Sequence, residues 1–364
     1  MIMKRILTLL FLVGALVSCG TTEPKQEKLP MVIAHRGCWL DDVVPENSIA
    51  AVGMAKRYGY AGIECDVRYT KDSVMVILHD GKLNRTTRLV KDYSKLEKEV
   101  HLRDLTFEEV RRDYVLASSD PALRTPIPTL EELLAECKKQ GVLPILHSDH
   151  VESYKLAQKM MGDEWVAFTI HDSLLSEARK ISNCLILLDP MTGKDQSVQA
   201  TMERLRKLGG KCGVSSMNRK LLTKEYCDSL RANGFEIQSS IFQTPHEMQA
   251  VRNGVTILLT DFSMMPNKAF PVVDTWTLKN QVLKVEEVAE KSWETIECGG
   301  LTLDVDFVGT LEVTMNGERT YILTREEQGK DYIGLRSLNK APSVKIVAKK
   351  DTKVTDLKAT VYKF

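Results

Sequence analysis

Short apolar runs alternate with amphipathic stretches from residue 31 to about residue 261. The runs are rich in Val, Ile and Leu, as are strands buried on both faces, and the stretches between them have helical spacing. Nine runs are candidate strands, at 31–34, 62–67, 74–78, 142–146, 166–170, 184–188, 212–215, 235–239 and 255–259. Repeated strand–helix units predict an α/β fold built on a parallel sheet.

Nine candidate strands are one more than a (β/α)₈ barrel needs, so we expect one of them to lie outside the barrel. The span of roughly 230 residues fits a TIM-type barrel, and a doubly wound open sheet is the alternative. Two helix starts are marked by capping boxes, Thr106 with Glu109 and Thr129 with Glu132. We therefore predict a TIM-type barrel with well-defined helix starts.

The pattern changes near residue 270. Apolar and polar residues then alternate at 301–307, 311–315, 320–324, 344–348 and 359–362, with an Asn-Gly turn signal at 316–317. This alternation predicts a small all-β, sandwich-like domain, so we divide the chain into a barrel at 31–270 and a β-rich domain at 271–364.

Aromatic residues in the β-rich domain leave its role open. A carbohydrate contact is one interpretation, and a structural lid or a dimer contact is the other. The residues concerned are Trp276, Trp293, Tyr321, Tyr332 and Tyr362.

The N-terminal segment has the pattern of an export signal. Lys4 and Arg5 precede an apolar run at 6–17 that is too short to span a bilayer as a helix. The run ends in Leu-Val-Ser-Cys at 16–19, which resembles the bacterial lipobox, where the Cys carries a lipid. We interpret 1–19 as a lipoprotein signal peptide, Cys19 as the lipidation site and 20–30 as a tether. This predicts an exported, membrane-anchored lipoprotein of a bacterial envelope; an ordinary signal peptide is the alternative.

Composition and charge exclude several classes of protein. Hydrophobic residues make up 43% and charged residues 27%, which is ordinary globular usage. Fifty Lys and Arg stand against 49 Asp and Glu, a net charge of +1. Because no overall positive field would attract a polyanion, we expect no nucleic-acid partner.

Charged and imidazole side chains gather at the ends of the first three candidate strands. His35 and Arg36 follow the first strand, and His79 follows the third. Glu64 and Asp66 share one face of the second strand, because alternate side chains of a strand point the same way. Active sites of barrels lie at such strand ends.

This set of residues fits phosphodiester cleavage. Two adjacent carboxylates, Glu64 and Asp66, repel each other unless a cation lies between them, and oxygen ligands favour Mg²⁺ or Ca²⁺. Such a cation and Arg36 would neutralise the phosphate. One His would then take a proton while the other gives one to the leaving oxygen.

The order of these residues resembles the glycerophosphodiester phosphodiesterase family. The shared motifs over about residues 31–263 are His-Arg-Gly at 35–37, Pro-Glu-Asn-Ser at 45–48, Glu-x-Asp at 64–66, His-Asp at 79–80 and Arg-Thr-Thr at 85–87. The resemblance implies a TIM-type barrel acting on a small-molecule phosphodiester, with a divalent cation on Glu64 and Asp66. It also implies that His35 and His79 form the acid–base pair and that Arg36 contacts the phosphate.

The resemblance and the later strands suggest residues that would line the rim and the substrate pocket. Glu46 and Asn47 would shape the rim, the alternative for Asn47 being that it caps the helix that follows. The later strands add His171 and Gln238 as candidate substrate-pocket residues. Trp39, in the loop after the first strand, would form an apolar wall of the pocket, the alternative being that it only packs.

The fourth strand departs from the family pattern. The family carries a Glu-x-Lys pair there, the Glu as third metal ligand and the Lys as a phosphate contact. Strand parity places His147 and Asp149 at those two positions. Both are candidate metal ligands, and the alternative is that they pair with each other while the cation binds weakly or is absent.

Three functions therefore remain in view. The leading hypothesis is metal-dependent hydrolysis of a glycerophosphodiester-like phosphodiester at the cell envelope. A phospholipase-like enzyme that releases a cyclic phosphate would use a similar barrel. The third is a binding lipoprotein whose catalysis is altered or lost, which the His147 and Asp149 departure motivates.

Overall fold

The computed structural model describes residues 30–40, 43–240, 244–261, 271–317 and 319–363. The predicted signal peptide and Cys19 lie outside these residues. Within them, every helix is too short or too polar to cross a membrane.

The barrel and its insertions contain eleven strands within the described residues. They are β1 (Met31–Ala34), β2 (Gly62–Tyr69), β3 (Met75–Ile77), β4 (Thr87–Leu89), β5 (Tyr114–Leu116), β6 (Leu143–His147), β7 (Val166–Thr169), β8 (Leu185–Leu188), β9 (Cys212–Ser216), β10 (Glu236–Ser240) and β11 (Ile257–Thr260). The helices are α1 (Ile49–Arg57), α2 (Phe107–Asp113), α3 (Leu130–Gln140), α4 (Val151–Met161), α5 (Asp172–Ile181), α6 (Val198–Leu208), α7 (Lys224–Ala232) and α8 (Thr244–Asn253).

Eight parallel strands close into a barrel. Their order is β1, β2, β6, β7, β8, β9, β10 and β11, and β11 pairs with β1 to complete the ring. Apolar side chains from alternate positions fill the interior: Ile33, Ile145, Val166, Leu187, Ile257 and Leu259. The opposite faces of the strands pack against the helices. The predicted TIM-type barrel is confirmed.

The candidate strand outside the barrel is β3. It pairs antiparallel with β2, with Val67 opposite Ile77, because the chain reverses in a turn at 70–73. His79 therefore reaches the barrel rim from a returning hairpin strand that lies outside the barrel, and not from the end of a barrel strand. Hydrophobic content alone does not distinguish a hairpin strand from a barrel strand.

The segment between β3 and β6 forms a small unit on the rim. It contains β4, β5 and α2 around apolar residues such as Leu83, Leu116 and Ile127. Both predicted capping boxes are confirmed, since the Thr106 and Thr129 hydroxyls accept from the backbone N–H three residues later. This unit supplies one side of the site described below.

The C-terminal part is all-β, as predicted. Its strands are β12 (Val272–Leu283), β13 (Val288–Ser292), β14 (Ile296–Met315), β15 (Arg319–Lys340), β16 (Ser343–Ala348) and β17 (Thr352–Lys363). β14 pairs with β15 on one edge, and on the other with β17 and then β16. The change of partner falls at Gly309, where φ is +136° and a Cβ would collide with Thr352. The six strands form one antiparallel sheet with an apolar core of its own.

Buried groups join the β-rich part to the barrel. Arg252 of α8 forms an ion pair with Asp331 of β15, and Asp331 is buried. Tyr362 packs against the barrel core, and Tyr321 and Tyr332 are themselves buried.

The tryptophans of this part also serve packing. Trp276 and Trp293 pack against the apolar core of the β-rich part, and the Trp293 indole donates to Asp274 at 2.8 Å. These positions favour the structural role that the sequence left open over a carbohydrate contact.

Candidate active site

The loop after β1 is held in an unusual backbone conformation. Arg36 and Gly37 have φ values of +56° and +75°. A Cβ on Gly37 would lie 2.7 Å from the Cβ of Ala51, so only glycine fits there. The Arg36 backbone N–H donates to Glu64 Oε2 at 3.1 Å, which ties this loop to β2. Non-glycine residues with positive φ are uncommon and often occur at functional sites.

His35 is oriented by a carboxylate from the last barrel strand. Its Nδ1 lies 2.7 Å from Asp261 Oδ1, and because an ionised carboxylate only accepts, Nδ1 carries the proton. The Nε2 atom faces inward, 3.9 Å from Glu64 Oε2. Burial lowers the pKa of His35, but the hydrogen bond to Asp261 and the charge of Glu64 outweigh it and leave the pKa raised.

Glu64 and Asp66 project from β2 into the barrel mouth, as strand parity predicts. Asp66 is directly opposite His147 of β6, and His147 Nδ1 lies 3.2 Å from Asp66 Oδ1 and 4.0 Å from Glu64 Oε1. One ligand atom from each of these three residues lies within 4.8 Å of the others. The three side chains form a candidate metal centre.

The two carboxyls have opposite pKa shifts. Burial and the charge of Asp66 raise the pKa of Glu64 to about 7. Burial also acts to raise the pKa of Asp66, but hydrogen bonds from His147 and Asn47 lower it to about 2. The raised pKa of Glu64 means that its ionised form is unfavourable beside Asp66. A cation bound between the two carboxylates would offset this cost.

Asn47 holds Asp66 at two points. Its Nδ2 donates to Asp66 Oδ2 at 3.1 Å, and its Oδ1 accepts from the Asp66 backbone N–H at 3.3 Å. The cap of α1 is Ser48, whose hydroxyl accepts from the Ala51 N–H, so the alternative that Asn47 caps this helix is wrong. Asn47 instead fixes the orientation of a candidate ligand.

A chain of ion pairs runs along the rim from His79 to Arg36. His79 Nδ1 lies 2.7 Å from Asp80 Oδ1, and Arg85 donates to Asp80 at 2.6 Å and to Glu46 at 2.7 Å. Glu46 also accepts from Arg36 at 3.3 Å. The hydrogen bond from Arg85 is the main cause that lowers the pKa of Asp80 to about 2. Glu46 therefore does shape the rim, by holding two guanidinium groups.

The comparison with known proteins agrees with this geometry. The model of the glycerophosphoryl diester phosphodiesterase family matches residues 35–183, which carry His35, Glu64, Asp66, His79 and His147. Over these residues, the chain is similar to that family.

Relatives of the family cover part of the chain. Glycerophosphodiester phosphodiesterase 1 of Mus musculus is 37% identical over 115 residues, which are 30% of this chain and 31% of the relative. A glycerophosphodiester phosphodiesterase of Bacillus altitudinis is 39% identical over 150 residues, 40% of this chain and 56% of the relative. The matched segments thus span about a third to a half of these relatives.

A solved structure shares the fold. The phosphodiesterase of Oleispira antarctica, determined with the product sn-glycerol-3-phosphate, has a TM-score of 0.52 and 18% identity. The match covers 65% of this chain and 94% of that one. At this identity, the likeness establishes the barrel fold alone.

The two residues that replace the family's Glu-x-Lys pair, His147 and Asp149, lie in different surroundings. His147 belongs to the candidate metal centre, but Asp149 does not, because β6 ends at His147. The Asp149 carboxylate accepts from the Thr169 hydroxyl at 2.8 Å and lies 3.8 Å from His171 Nε2. The expectation that Asp149 is a ligand is therefore not met, and neither is the alternative of a direct His147–Asp149 pair.

The candidate pocket residues differ in their exposure and in whether they line a cavity. Gln238 is fully buried inside the barrel and donates to Ser215 at 2.8 Å, so it does not line an open pocket. His171 is half exposed at the start of α5. Trp39 lines a cavity beside the rim together with Glu46.

Asp261 and Asp80 had no assigned role from the sequence, and Asn47 was expected only to shape the rim or cap a helix, although each of the three positions a site residue. The motifs contain Asn47 and Asp80, and Asp261 follows the last strand. A signal was therefore present for each of them: a polar residue directly beside a rim motif or strand end.

Proposed function

We propose that this chain hydrolyses a glycerophosphodiester-like phosphodiester, with a divalent cation and with His35 and His79 as the proton-transfer pair. The observation that carries the proposal is the rim geometry. Glu64, Asp66 and His147 form one group, and His35 and Arg36 adjoin it. The match of residues 35–183 to the family model supports the same reaction class.

The chemistry of the donor set fits a divalent cation such as Ca²⁺ or Mg²⁺. Glu64 and Asp66 are both buried, and burying two carboxylates together is unfavourable without positive charge between them. His147 would add an imidazole ligand in its neutral form. When bound, the cation would offset negative charge on the phosphate during cleavage.

Arg36 is placed to bind the phosphate. Its guanidinium lies between Glu46, at 3.3 Å, and Asp66, at 4.0 Å, so it faces the same rim as the candidate ligands. Guanidinium groups match phosphate oxygens in charge and planar geometry. This contact would fix the diester beside His35.

The two histidines are held for proton transfer by the same device. In each, Nδ1 faces an aspartate at 2.7 Å, Asp261 for His35 and Asp80 for His79. This leaves Nε2 of each ring to exchange a proton with the substrate or with water. One ring takes a proton from the attacking water or hydroxyl as a new P–O bond forms. The other protonates the alcohol oxygen as the old P–O bond breaks.

The test is ³¹P NMR of glycerophosphodiesters incubated with the full chain in detergent, with Ca²⁺, with Mg²⁺ and with chelator. Diester, monoester and cyclic phosphate give separate signals. A metal-dependent monoester signal is the expected result. A persistent cyclic signal would replace hydrolysis by the phospholipase-like outcome, and an unchanged diester under all three conditions would overturn the proposal in favour of a binding protein.

We further propose that the protein works at a bacterial envelope, anchored by a lipid on Cys19. The support is the sequence of residues 1–19, with its basic start, apolar run and lipobox-like end. Metabolic labelling with a fatty acid tests this, with Cys19→Ala as the variant that should lose the label. Equal labelling of both proteins would contradict the anchor.

A further inference from the structure

A cavity of about 610 Å³ lies beside the catalytic rim, between the loop after β1 and the unit that carries β4 and β5. Glu46 belongs to both places. It lines the cavity, and its carboxylate accepts from Arg36, the candidate phosphate contact, at 3.3 Å. A molecule held by its diester at Arg36 can therefore extend one of its alcohol portions into the cavity.

The described lining of this cavity is strongly cationic. Four cations face a single carboxylate, that of Glu46, and the cations are Arg85, Arg88, Lys95 and Arg124. This is an excess of three positive charges, against a net charge of +1 for the whole chain. A concave surface of one charge sign attracts ligands of the opposite sign.

The four cations are not equally compensated. Arg85 donates to Asp80 and to Glu46, so its charge is largely neutralised within the protein. Among the described residues, Arg88, Lys95 and Arg124 have no carboxylate partner. The uncompensated charge therefore lies on the side of the cavity formed by residues 88–124.

Arg124 is already held in place. Its Nε donates to the Ser118 carbonyl at 3.1 Å, and its guanidinium carbon lies 3.8 Å from the centre of the Tyr93 ring. The Tyr93 hydroxyl is in turn hydrogen-bonded to the Ser118 backbone at both its N–H and its carbonyl. A guanidinium fixed in advance loses little conformational entropy when it binds a phosphate.

We propose that this cavity binds a second anionic group of the substrate, so that the preferred substrate is a phosphodiester whose alcohol carries a further phosphate. The inference rests on the proposed function and adds its substrate class. Arg36 holds the diester that is cleaved, and Arg88, Lys95 and Arg124 hold the second phosphate. Such a compound exists both as a lipid headgroup and as its free, deacylated form.

The experiment compares two soluble substrates that differ by one glycerophosphoryl group, which carries the second phosphate. Glycerophosphoglycerol has a neutral alcohol, and bis(glycerophospho)glycerol has an alcohol that bears a second phosphate. The full chain should show a kcat/KM at least about tenfold higher for the second compound, the effect of one charged hydrogen bond. Arg88→Gln and Arg124→Gln should each remove most of this preference while leaving kcat/KM for glycerophosphoglycerol near the wild-type value.

The matched control is Arg103→Gln, an exposed arginine of the same rim unit that does not line the cavity. It should keep the preference. Loss of the preference in all three variants, or equal rates for both substrates in the wild type, would overturn the inference and leave the proposed function standing. Cardiolipin in detergent micelles forms a third arm, and its turnover would identify the lipid as the source, whereas turnover of only the deacylated compound would identify the free form.

Binding separates this inference from failure of the proposed reaction. Calorimetry on the full chain carrying His35→Ala measures affinity for both soluble compounds without turnover. Tighter binding of bis(glycerophospho)glycerol, abolished by adding Arg124→Gln, would support the cavity even where neither diester is hydrolysed. Equal affinities would refute it.

Discussion

The hydrogen bond between Asp261 and His35 allows a quantitative prediction. In Asp261→Asn the amide keeps the size of the carboxylate but removes its charge. The bond is 2.7 Å long, and the side chain of His35 is only 10% exposed, so solvent screens the interaction little. A hydrogen bond to a charged group contributes about 1.5–3 kcal/mol, and 1.36 kcal/mol corresponds to one pKa unit. The pKa of His35 should therefore fall by roughly one to two units.

The sign of the effect follows from the shift in the wild type. Asp261 is a cause of the raised pKa of His35, so its removal lowers that pKa. The limb of the pH–rate profile that belongs to His35 should then move to lower pH, whether this ring acts as the acid or as the base. The rate of Asp261→Asn at its optimum pH should also fall, by about 10²-fold or more, because the neutral amide no longer stabilises the imidazolium that forms during proton transfer.

The assay is kcat/KM from pH 5 to 9 at saturating metal, together with NMR titration of the imidazole protons. Asp189→Asn is the matched control, since Asp189 directly follows β8 at the same rim but accepts from the Met191 backbone N–H. The control should keep the wild-type limb. A slower Asp261→Asn enzyme whose limb does not move would refute the assigned role and leave Asp261 as a structural residue.

Three further predictions concern the centre of the site. His35→Ala and His79→Ala should each lower turnover by about 10²-fold or more with little change in the melting temperature; near-normal rates in either would remove it from the proton-transfer pair. Glu64→Gln should raise the metal concentration needed for half-maximal activity. It should also raise the melting temperature of the metal-free protein at pH 8 but not near pH 4.5, because stability is lost as Glu64 ionises between 4.5 and about 7. His147→Gln should weaken metal binding and make it less dependent on pH, because protons compete with the metal for His147. The hydrogen bond of His147 to Asp66 outweighs the effect of burial and raises the pKa of His147. Calorimetry of metal binding at pH 6 and 8 that shows equal pH dependence in both proteins would contradict this.

Much of the fold followed from the sequence because its rules are local. Strand burial, strand–helix alternation and the capping boxes at Thr106 and Thr129 each depend on a few neighbouring residues. Strand parity likewise placed Glu64 and Asp66 on one face of β2. The direction of β3 was not predictable in this way, because it depends on a four-residue turn that reverses the chain.

The contacts that position the site residues were hidden for a different reason. His35 and Asp261 are 226 residues apart, and they meet only because β11 pairs with β1 when the barrel closes. Asn47 reaches Asp66 from a backbone with φ of +54°, which no propensity rule assigns to it. Long-range register and individual torsion angles are properties of the assembled fold.

The positions of His147 and Asp149 show that strand parity predicts side-chain direction only as far as the end of β6. Parity placed His147 correctly, because that residue is the last of the strand, but Asp149 lies beyond the strand end and turns to Thr169. The position that carries a phosphate-binding Lys in the family pattern therefore holds a carboxylate that contacts Thr169 and lies outside the candidate metal centre. The barrel rim loses one cation, while the neighbouring cavity contains three without carboxylate partners among the described residues. We therefore expect negative charge on the substrate to be recognised by the unit inserted between β3 and β6, at a part of the molecule remote from the bond that is cleaved.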